Sequence, residues 1–143
     1  MQMQTPPRYH RSVAQRYRLE AAKCEKCDKT FFPPRLTCGA FYECCTDSGC
    51  EFETVRLPDH GKVLTYTIIH VGPSQFKDET PYANAIIELA DGTRILAMMT
   101  DCDVSKVEVG MEVTLEFRKI MSIGGGGILS YGYKAVPKRE YRL

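Results

Sequence analysis

The sequence predicts a mainly β protein, in which a short N-terminal helix and a cysteine-rich module precede a five-stranded antiparallel barrel. Two observations support this prediction. Six of the seven cysteines fall within residues 24–50, and the stretch from Lys62 to Val136 is rich in β-branched residues that turn signals interrupt. A chain of 143 residues has room for one small module and one domain.

Composition excludes several classes of protein. Hydrophobic residues make up 43% of the chain and charged residues 26%, and the net charge of +1 gives no sign of a nucleic-acid partner. No apolar run approaches the roughly 20 residues that a transmembrane helix needs, and residues 1–18 lack the apolar core of a signal peptide. We therefore expect a cytoplasmic protein with no membrane partner, in which so many cysteines indicate metal binding rather than disulfides.

Residues 1–18 are predicted to be an N-terminal helical arm. A helix from Arg8 to about Tyr17 is expected, because Tyr9, Val13 and Tyr17 recur every four residues and form one apolar stripe. A stripe this narrow does not stabilise an isolated short helix. The arm is therefore expected to dock onto another surface, such as a second chain.

Residues 19–57 are predicted to form a zinc ribbon. Cys24 and Cys27 form a C-x-x-C pair, which places two thiolates on one turn at the separation that a tetrahedral metal ion needs. Phe31 and Phe32 indicate a short strand that stops at the following prolines. Because a zinc ion saturated by four sulfurs has no open position for substrate, this site predicts structure rather than catalysis.

Residues 58–143 are predicted to form an OB-fold domain with a basic C-terminal tail. Asp91-Gly92 is a strong signal for a two-residue hairpin. Five strands with no long helix between them favour a small antiparallel barrel, and an OB-like barrel is the commonest solution with that strand number. The predicted strands are Lys62–Val71, Tyr82–Leu89, Arg94–Thr100, Glu112–Lys119 and Ile128–Val136. The basic residues assigned to the tail region are Lys134, Lys138, Arg139 and Arg142.

The order of these parts resembles a family of OB-fold proteins, built on a domain of unknown function, that carry an N-terminal rubredoxin-like zinc ribbon and occur with thiolase-type enzymes. The resemblance covers nearly the whole chain. It rests on the segments Gln15–Leu19, Cys24–Cys27, Phe32–Cys38 and Gly61–Thr67.

The resemblance implies an accessory subunit of acyl-CoA-handling enzymes rather than an enzyme. Archaeal members similar to this chain bridge an acetoacetyl-CoA thiolase and a hydroxymethylglutaryl-CoA synthase at the entry to the mevalonate pathway. Formation of acetoacetyl-CoA is thermodynamically uphill, so a shared compartment lets the synthase consume the intermediate before it escapes. The same function is expected here. Whether this subunit itself contacts CoA is not decided by the sequence.

One departure from the family pattern concerns the fourth zinc ligand. The family usually places its fourth cysteine three positions after the third, where this chain has Phe41. The cysteines that remain as candidates are Cys44, Cys45 and Cys50.

We predict that Zn²⁺ is held by Cys24, Cys27, Cys38 and Cys45. Cys45 is chosen because the turn sequence after it, Thr46 to Gly49, resembles the turn that follows a zinc knuckle. An alternative places Cys45 and Cys50 opposite the first pair and leaves Cys38 out. The sequence does not distinguish zinc from iron.

No catalytic or cofactor-binding residue is predicted. Cys102 lies between two aspartates, whose charges raise the pKa of a thiol and make it a poor nucleophile. The run Gly124–Gly127 precedes a predicted strand rather than a helix, so it lacks the helix N-terminus that a phosphate loop needs and is interpreted as a hairpin tip.

Two other functions stay open. Zinc ribbons and OB folds both bind single-stranded nucleic acids, and a salt-dependent gel shift would indicate that function. A free-standing acyl-CoA-binding protein is the second alternative, and calorimetry with acetyl-CoA would identify it.

Overall fold

A computed structural model of the chain describes residues 6–39, 49–122, 127 and 129–138. The chain divides into two compact units, Met1–Leu57 and Pro58–Leu143. Antiparallel strands dominate both units, which confirms the predicted mainly β class. Within the described residues, no helix is both long enough and apolar enough to cross a membrane.

The first unit begins with two six-residue helices, α1 (Pro6–Arg11) and α2 (Val13–Arg18). The single helix predicted over this region is therefore broken, and the break falls at Ser12. The hydroxyl of Ser12 donates a hydrogen bond of 2.9 Å to the carbonyl of Arg8, the kind of local side-chain bond that competes with a continuous helix. The rings of Tyr9 and Tyr17 nevertheless meet edge-on, with centroids 6.0 Å apart.

A three-stranded antiparallel sheet follows, in the order β2–β1–β3. Its strands are β1 (Glu20–Cys24), β2 (Thr30–Phe31) and β3 (Phe52–Arg56). The short predicted strand is present as β2, which ends before the prolines. Strands β1 and β3 were not predicted. In β1 the residues Glu, Ala and Lys have low intrinsic β propensity, so this strand forms through its pairing with β2 and β3.

The second unit is a five-stranded antiparallel sheet in the order β6–β5–β4–β7–β8. A parallel bridge between Met99 and Ala135 joins the end of the β6 segment to β8 and closes the sheet into a barrel. The predicted OB-fold barrel is thus confirmed. Its strands are β4 (His60–Ile69), β5 (Tyr82–Leu89), β6 (Arg94–Met98), β7 (Glu112–Ser122) and β8 (Leu129–Pro137).

Two short 3₁₀ helices, Ser74–Glu79 and Val104–Lys106, interrupt the connections between strands and were not predicted. The barrel core consists of side chains that alternate along the strands and are almost fully buried. Its members include Val63, Ile87, Val113, Leu115 and Ala135. Most of the glycine run lies outside the described residues, so its interpretation as a hairpin tip stays a prediction.

Lys134, one of the basic residues near the C-terminus, is buried rather than exposed. It lies inside β8, only 6% exposed. Its ammonium group pairs with a carboxylate oxygen of Glu79 at 3.1 Å, which ties the first 3₁₀ helix to the barrel. The ammonium group of Lys134 can be buried because the carboxylate of Glu79 compensates its charge.

Removing Glu79 is expected to be more damaging than removing Lys134. Glu79→Ala leaves a buried ammonium without its carboxylate, and with Glu79 itself partly exposed we expect a loss of about 2 kcal/mol in unfolding free energy. Lys134→Met removes the charge and keeps an apolar side chain of similar length, so its cost should be smaller. Urea unfolding of both variants tests the order, and equal losses would contradict the importance of the buried charge.

Candidate metal centre

Three cysteine sulfurs converge in the first unit. The Sγ atoms of Cys24, Cys27 and Cys38 all lie within 4.8 Å of one another. The Sγ atoms of Cys27 and Cys38 are 3.7 Å apart, too far for a disulfide bond of about 2.05 Å. Four sulfurs placed tetrahedrally at about 2.3 Å from zinc would stand about 3.8 Å from each other. The cluster therefore fits a tetrahedral zinc ion.

A tight turn between β1 and β2 presents the first two sulfurs. The amide of Cys24 donates to the carbonyl of Lys29, and the amide of Asp28 donates to the carbonyl of Cys24, both at 2.9 Å. Asp28 has a positive φ of 58°, a conformation that aspartate tolerates better than most residues. This turn places the sulfurs of the C-x-x-C pair on the same side of the chain.

The electrostatics of Cys24 favour its thiolate. The backbone amide of Cys27 donates to the sulfur of Cys24, and with smaller contributions from Cys38 and Lys26 this lowers the pKa of Cys24 to about 6, although burial opposes the shift. Cys24 and Cys38 are almost fully buried, with 0% and 1% exposure. A sulfur that is already deprotonated at neutral pH can bind a metal without the cost of releasing a proton.

Cys50 lies beside this cluster. The amide of Cys38 donates to the sulfur of Cys50 at 3.3 Å, and Cys50 packs against the buried group of Cys24, Phe31 and Cys38. Two further bonds hold the backbone around Cys50 against the turn: Lys26 Nζ donates to the carbonyl of Gly49, and the amide of Glu25 donates to the carbonyl of Glu51, both at 3.0 Å.

Of the four predicted ligands, the structure brings together Cys24, Cys27 and Cys38. Cys44 and Cys45 fall in residues 40–48, outside the described part of the chain, so Cys45 as the fourth ligand stays a prediction. Cys38 belongs to the converging group, whereas the alternative arrangement would leave it out. Cys50 is the one of the three candidates for the fourth ligand that lies within the described residues, and its sulfur accepts a hydrogen bond from the amide of Cys38.

The remaining described cysteine, Cys102, is in the second unit. Burial raises the pKa of its thiol, and the carboxylates of Asp101 and Asp103 add to the effect. The predicted direction is confirmed, and a protonated thiol of this kind is a poor nucleophile.

The outer end of the β7–β8 hairpin carries exposed aromatic residues. The ring of Phe117 stacks on Tyr131 at 5.5 Å and meets Tyr133 edge-on at 5.7 Å. Phe117 is 44% exposed and Leu129, at the same end of the hairpin, is 46% exposed. These four residues form the hairpin aromatic cluster, an apolar surface of the kind that proteins use for contacts with partners.

Both units of the chain are similar to domains of known proteins. The rubredoxin-like zinc ribbon domain of ChsH2 matches residues 11–44, and the C-terminal OB-fold domain of ChsH2 matches residues 54–118. A DUF35 domain-containing scaffold protein of Methanothermobacter thermautotrophicus is 38% identical over 128 residues, covering 90% of this chain and 92% of that protein. The match with the zinc ribbon includes Cys44 and ends one residue before Cys45.

Two further proteins are similar over most of the chain. The benzoylsuccinyl-CoA thiolase subunit BbsA of Geobacter metallireducens is 27% identical over 119 residues, which are 82% of this chain and 75% of BbsA. A solved structure described as an Ltp2-ChsH2(DUF35) aldolase has a TM-score of 0.64 and 25% identity, and the match covers 90% of this chain and 91% of that one.

Single substitutions will identify the fourth ligand. We expect Cys45→Ser to lower the zinc content of the purified protein and to weaken zinc binding, because a serine hydroxyl replaces a thiolate in the site. Cys44→Ser is the matched control at the adjacent position. Elemental analysis and a competition titration with a chromogenic chelator measure these variants and Cys50→Ser. Loss of zinc in Cys44→Ser or Cys50→Ser alone would move the ligand to that cysteine.

Proposed function

Because this chain belongs to the DUF35 family of scaffold proteins, we propose that it is a non-catalytic subunit that joins two enzymes of acyl-CoA metabolism. The two enzymes are an acetoacetyl-CoA thiolase and a hydroxymethylglutaryl-CoA synthase. Acetoacetyl-CoA would pass between them at the start of the mevalonate pathway, in the cytoplasm. The zinc site would have a structural role in this subunit.

The similarity to the scaffold protein of Methanothermobacter thermautotrophicus carries this proposal. That similarity extends over nine-tenths of both chains, through the ribbon and the barrel. The names of two similar proteins also place them with an enzyme, since BbsA is a thiolase subunit and ChsH2(DUF35) is named together with Ltp2 as an aldolase. Thiolase-type partners are therefore the favoured class for this chain.

The chemistry of the described residues supports a role without catalysis. The converging sulfurs form a site that a fourth ligand would close, with no position left for substrate. A groove of about 400 Å³ in the second unit has no serine or cysteine among its lining residues. His60 lines that groove, exposed to solvent and 3.2 Å from a carboxylate oxygen of Asp59.

The surface of both units supports contact with partners. In the first unit, Leu36 is 91% exposed in the loop that follows two prolines. In the second unit, the hairpin aromatic cluster provides a contiguous apolar surface. Apolar groups on two separate units are what a subunit needs if it is to contact two enzymes at once.

Co-expression of the full chain with the thiolase and the synthase of the same organism tests this function. A tagged copy of this chain should retain both enzymes through size-exclusion chromatography, and native mass spectrometry should report one assembly with bound zinc. Cys102→Ser, a change far in sequence from the ribbon, is the control and should retain both. A protein that elutes alone, with neither enzyme bound under mild conditions, would overturn the proposal. Binding of acetyl-CoA by the isolated chain in calorimetry would indicate the acyl-CoA-binding alternative.

A further inference from the structure

Positive charge in this chain is concentrated in the helical arm. Residues 6–19 contain Arg8, Arg11, Arg16 and Arg18, and they contain no aspartate, glutamate or lysine. The whole chain has a net charge of +1, so the rest of the chain, without these four arginines, carries a net charge of −3. A short basic segment therefore precedes a slightly acidic remainder.

The arm has a defined shape, although each of its helices is only six residues long. The ring of Tyr9 meets the ring of Tyr17 edge-on, and a hydrogen bond joins their two hydroxyl groups, so α1 is held against α2. At the corner between the helices, the amide of Arg16 donates to the carbonyl of Ser12 at 2.8 Å. An arm that is ordered before binding loses less conformational entropy when it meets a partner.

The C-terminal end of the arm is fixed to the zinc ribbon. Leu19 follows α2 in the left-handed conformation, with φ of 50°. Its carbonyl accepts a hydrogen bond of 3.0 Å from the amide of Leu57, and both leucines are only 3% exposed. A protein that binds the arm therefore also holds the ribbon.

The arginines of α1 present their charge to solvent. Arg8 and Arg11 are both exposed, and they are three positions apart in one helix, so their side chains are neighbours on its surface and repel each other. Carboxylates of a partner would offset this repulsion. Guanidinium groups also donate paired hydrogen bonds to carboxylates, which makes such contacts specific in geometry.

The composition of the arm favours a protein surface over a nucleic acid. Arginine and tyrosine are enriched in protein interfaces, whereas lysine is depleted there, and the arm has four arginines, two tyrosines and no lysine. A nucleic acid carries a phosphate at every nucleotide, so it would also approach the remainder of the chain, whose net charge is negative. An acidic patch on a folded protein can meet the arm alone.

We propose that the helical arm, through Arg8 and Arg11, binds an acidic surface on one of the two enzymes that this subunit joins. This contact rests on the proposed function, because its partner is a member of the same scaffold complex. Attraction between the opposite charges speeds the association of the two proteins and selects the enzyme that carries the acidic surface. Salt screens this attraction when the charges are exposed to solvent.

Binding of the full-length, zinc-loaded chain to each purified enzyme of the same organism tests this contact. Arg11 is exposed in the last turn of α1, so its substitution should leave the ribbon folded. We expect Arg11→Gln to weaken binding to one of the two enzymes several-fold, and Arg11→Glu to weaken it about tenfold, mainly through slower association. Surface plasmon resonance at several salt concentrations measures both changes, and the difference between the variants and the wild type should shrink as salt is raised.

Lys106→Glu is the matched control, since it makes the same change of charge at an exposed position of the second unit. It should bind both enzymes as the wild type does, and an equal loss in this variant would overturn the contact by showing a general effect of net charge. Equal binding of Arg11→Glu and the wild type, with unchanged zinc content, would overturn the contact and leave the proposed function in place. A wild type that binds neither enzyme would overturn both. A gel shift of a single-stranded oligonucleotide that Arg11→Glu abolishes, with enzyme binding unchanged, would assign the arm to nucleic acid instead.

Discussion

A Cys24→Ser variant is expected to lose its zinc and to unfold the first unit while the second unit stays folded. The sulfur of Cys24 is completely buried at the centre of the cluster, and structural zinc contributes about 10–16 kcal/mol of apparent binding free energy in small zinc-finger peptides. Few apolar side chains surround the buried sulfurs, chiefly Phe31 and the partly buried Phe52. Without the metal this core is too small to offset the conformational entropy of the chain.

Elemental analysis and hydrogen exchange measure this result. The variant should contain no zinc, and the amides of β1 and β3 should exchange rapidly while those of β5 remain protected. Cys102→Ser is the matched control, because it also removes one thiol but lies in the barrel, and it should keep both its zinc and its protection. Normal protection of β1 in zinc-free Cys24→Ser would show that the ribbon folds without metal.

A Gly61→Ala variant is expected to destabilise the barrel by about 3 kcal/mol, at the upper end of the usual cost of overpacking. Gly61 pairs with Leu89 of β5 on one side and with Val113 of β7 on the other. A Cβ atom at this position would lie 2.3 Å from the carbonyl oxygen of Glu88. Because that neighbour is backbone in a paired strand, it cannot rotate away, and β4 and β5 would have to separate.

Gly132→Ala provides the comparison. A Cβ atom there would meet Cγ1 of Ile120 at 3.2 Å, and an isoleucine side chain can adjust by a small rotation. We therefore expect a clearly smaller loss in this variant. Chemical denaturation that follows the unfolding of the second unit measures both changes, and a Gly61→Ala variant as stable as the wild type would show that the close approach of the strands is not required.

Local patterns in the sequence were sufficient to predict much of the fold. The bounds of β5 agree with the prediction, Tyr82–Leu89, because Pro81 precedes the strand and the Asp91-Gly92 turn follows it. The C-x-x-C spacing indicated the first two members of the metal cluster, since two residues between cysteines set the geometry of one turn. The dipeptide Asp91-Gly92 likewise indicated the turn between β5 and β6.

Most elements that the sequence missed depend on contacts with other segments, as β1 forms because β2 and β3 pair with it. The helix break at Ser12 is local and coincides with the hydrogen bond from its hydroxyl to the carbonyl of Arg8. The sequence grouped Lys134 with the basic residues near the C-terminus, yet Lys134 is buried, and Glu79, fifty-five positions earlier, supplies its counter-charge. The presence of a charged residue in the sequence does not show whether its side chain is buried when the oppositely charged partner lies far along the chain.

By itself, the sequence determined the fold class, the order of ribbon and barrel, and the metal-binding character of the cysteine-rich segment, because periodicity and short spacings are properties of neighbouring residues. Only the tertiary structure decided that Cys38 joins Cys24 and Cys27, and that Cys50 contacts the backbone of Cys38. These sulfurs meet through strand pairing and a long loop, and several cysteines of equal chemistry compete for the same position. Which of them come together is a matter of three-dimensional distance, which spacing along the chain does not specify.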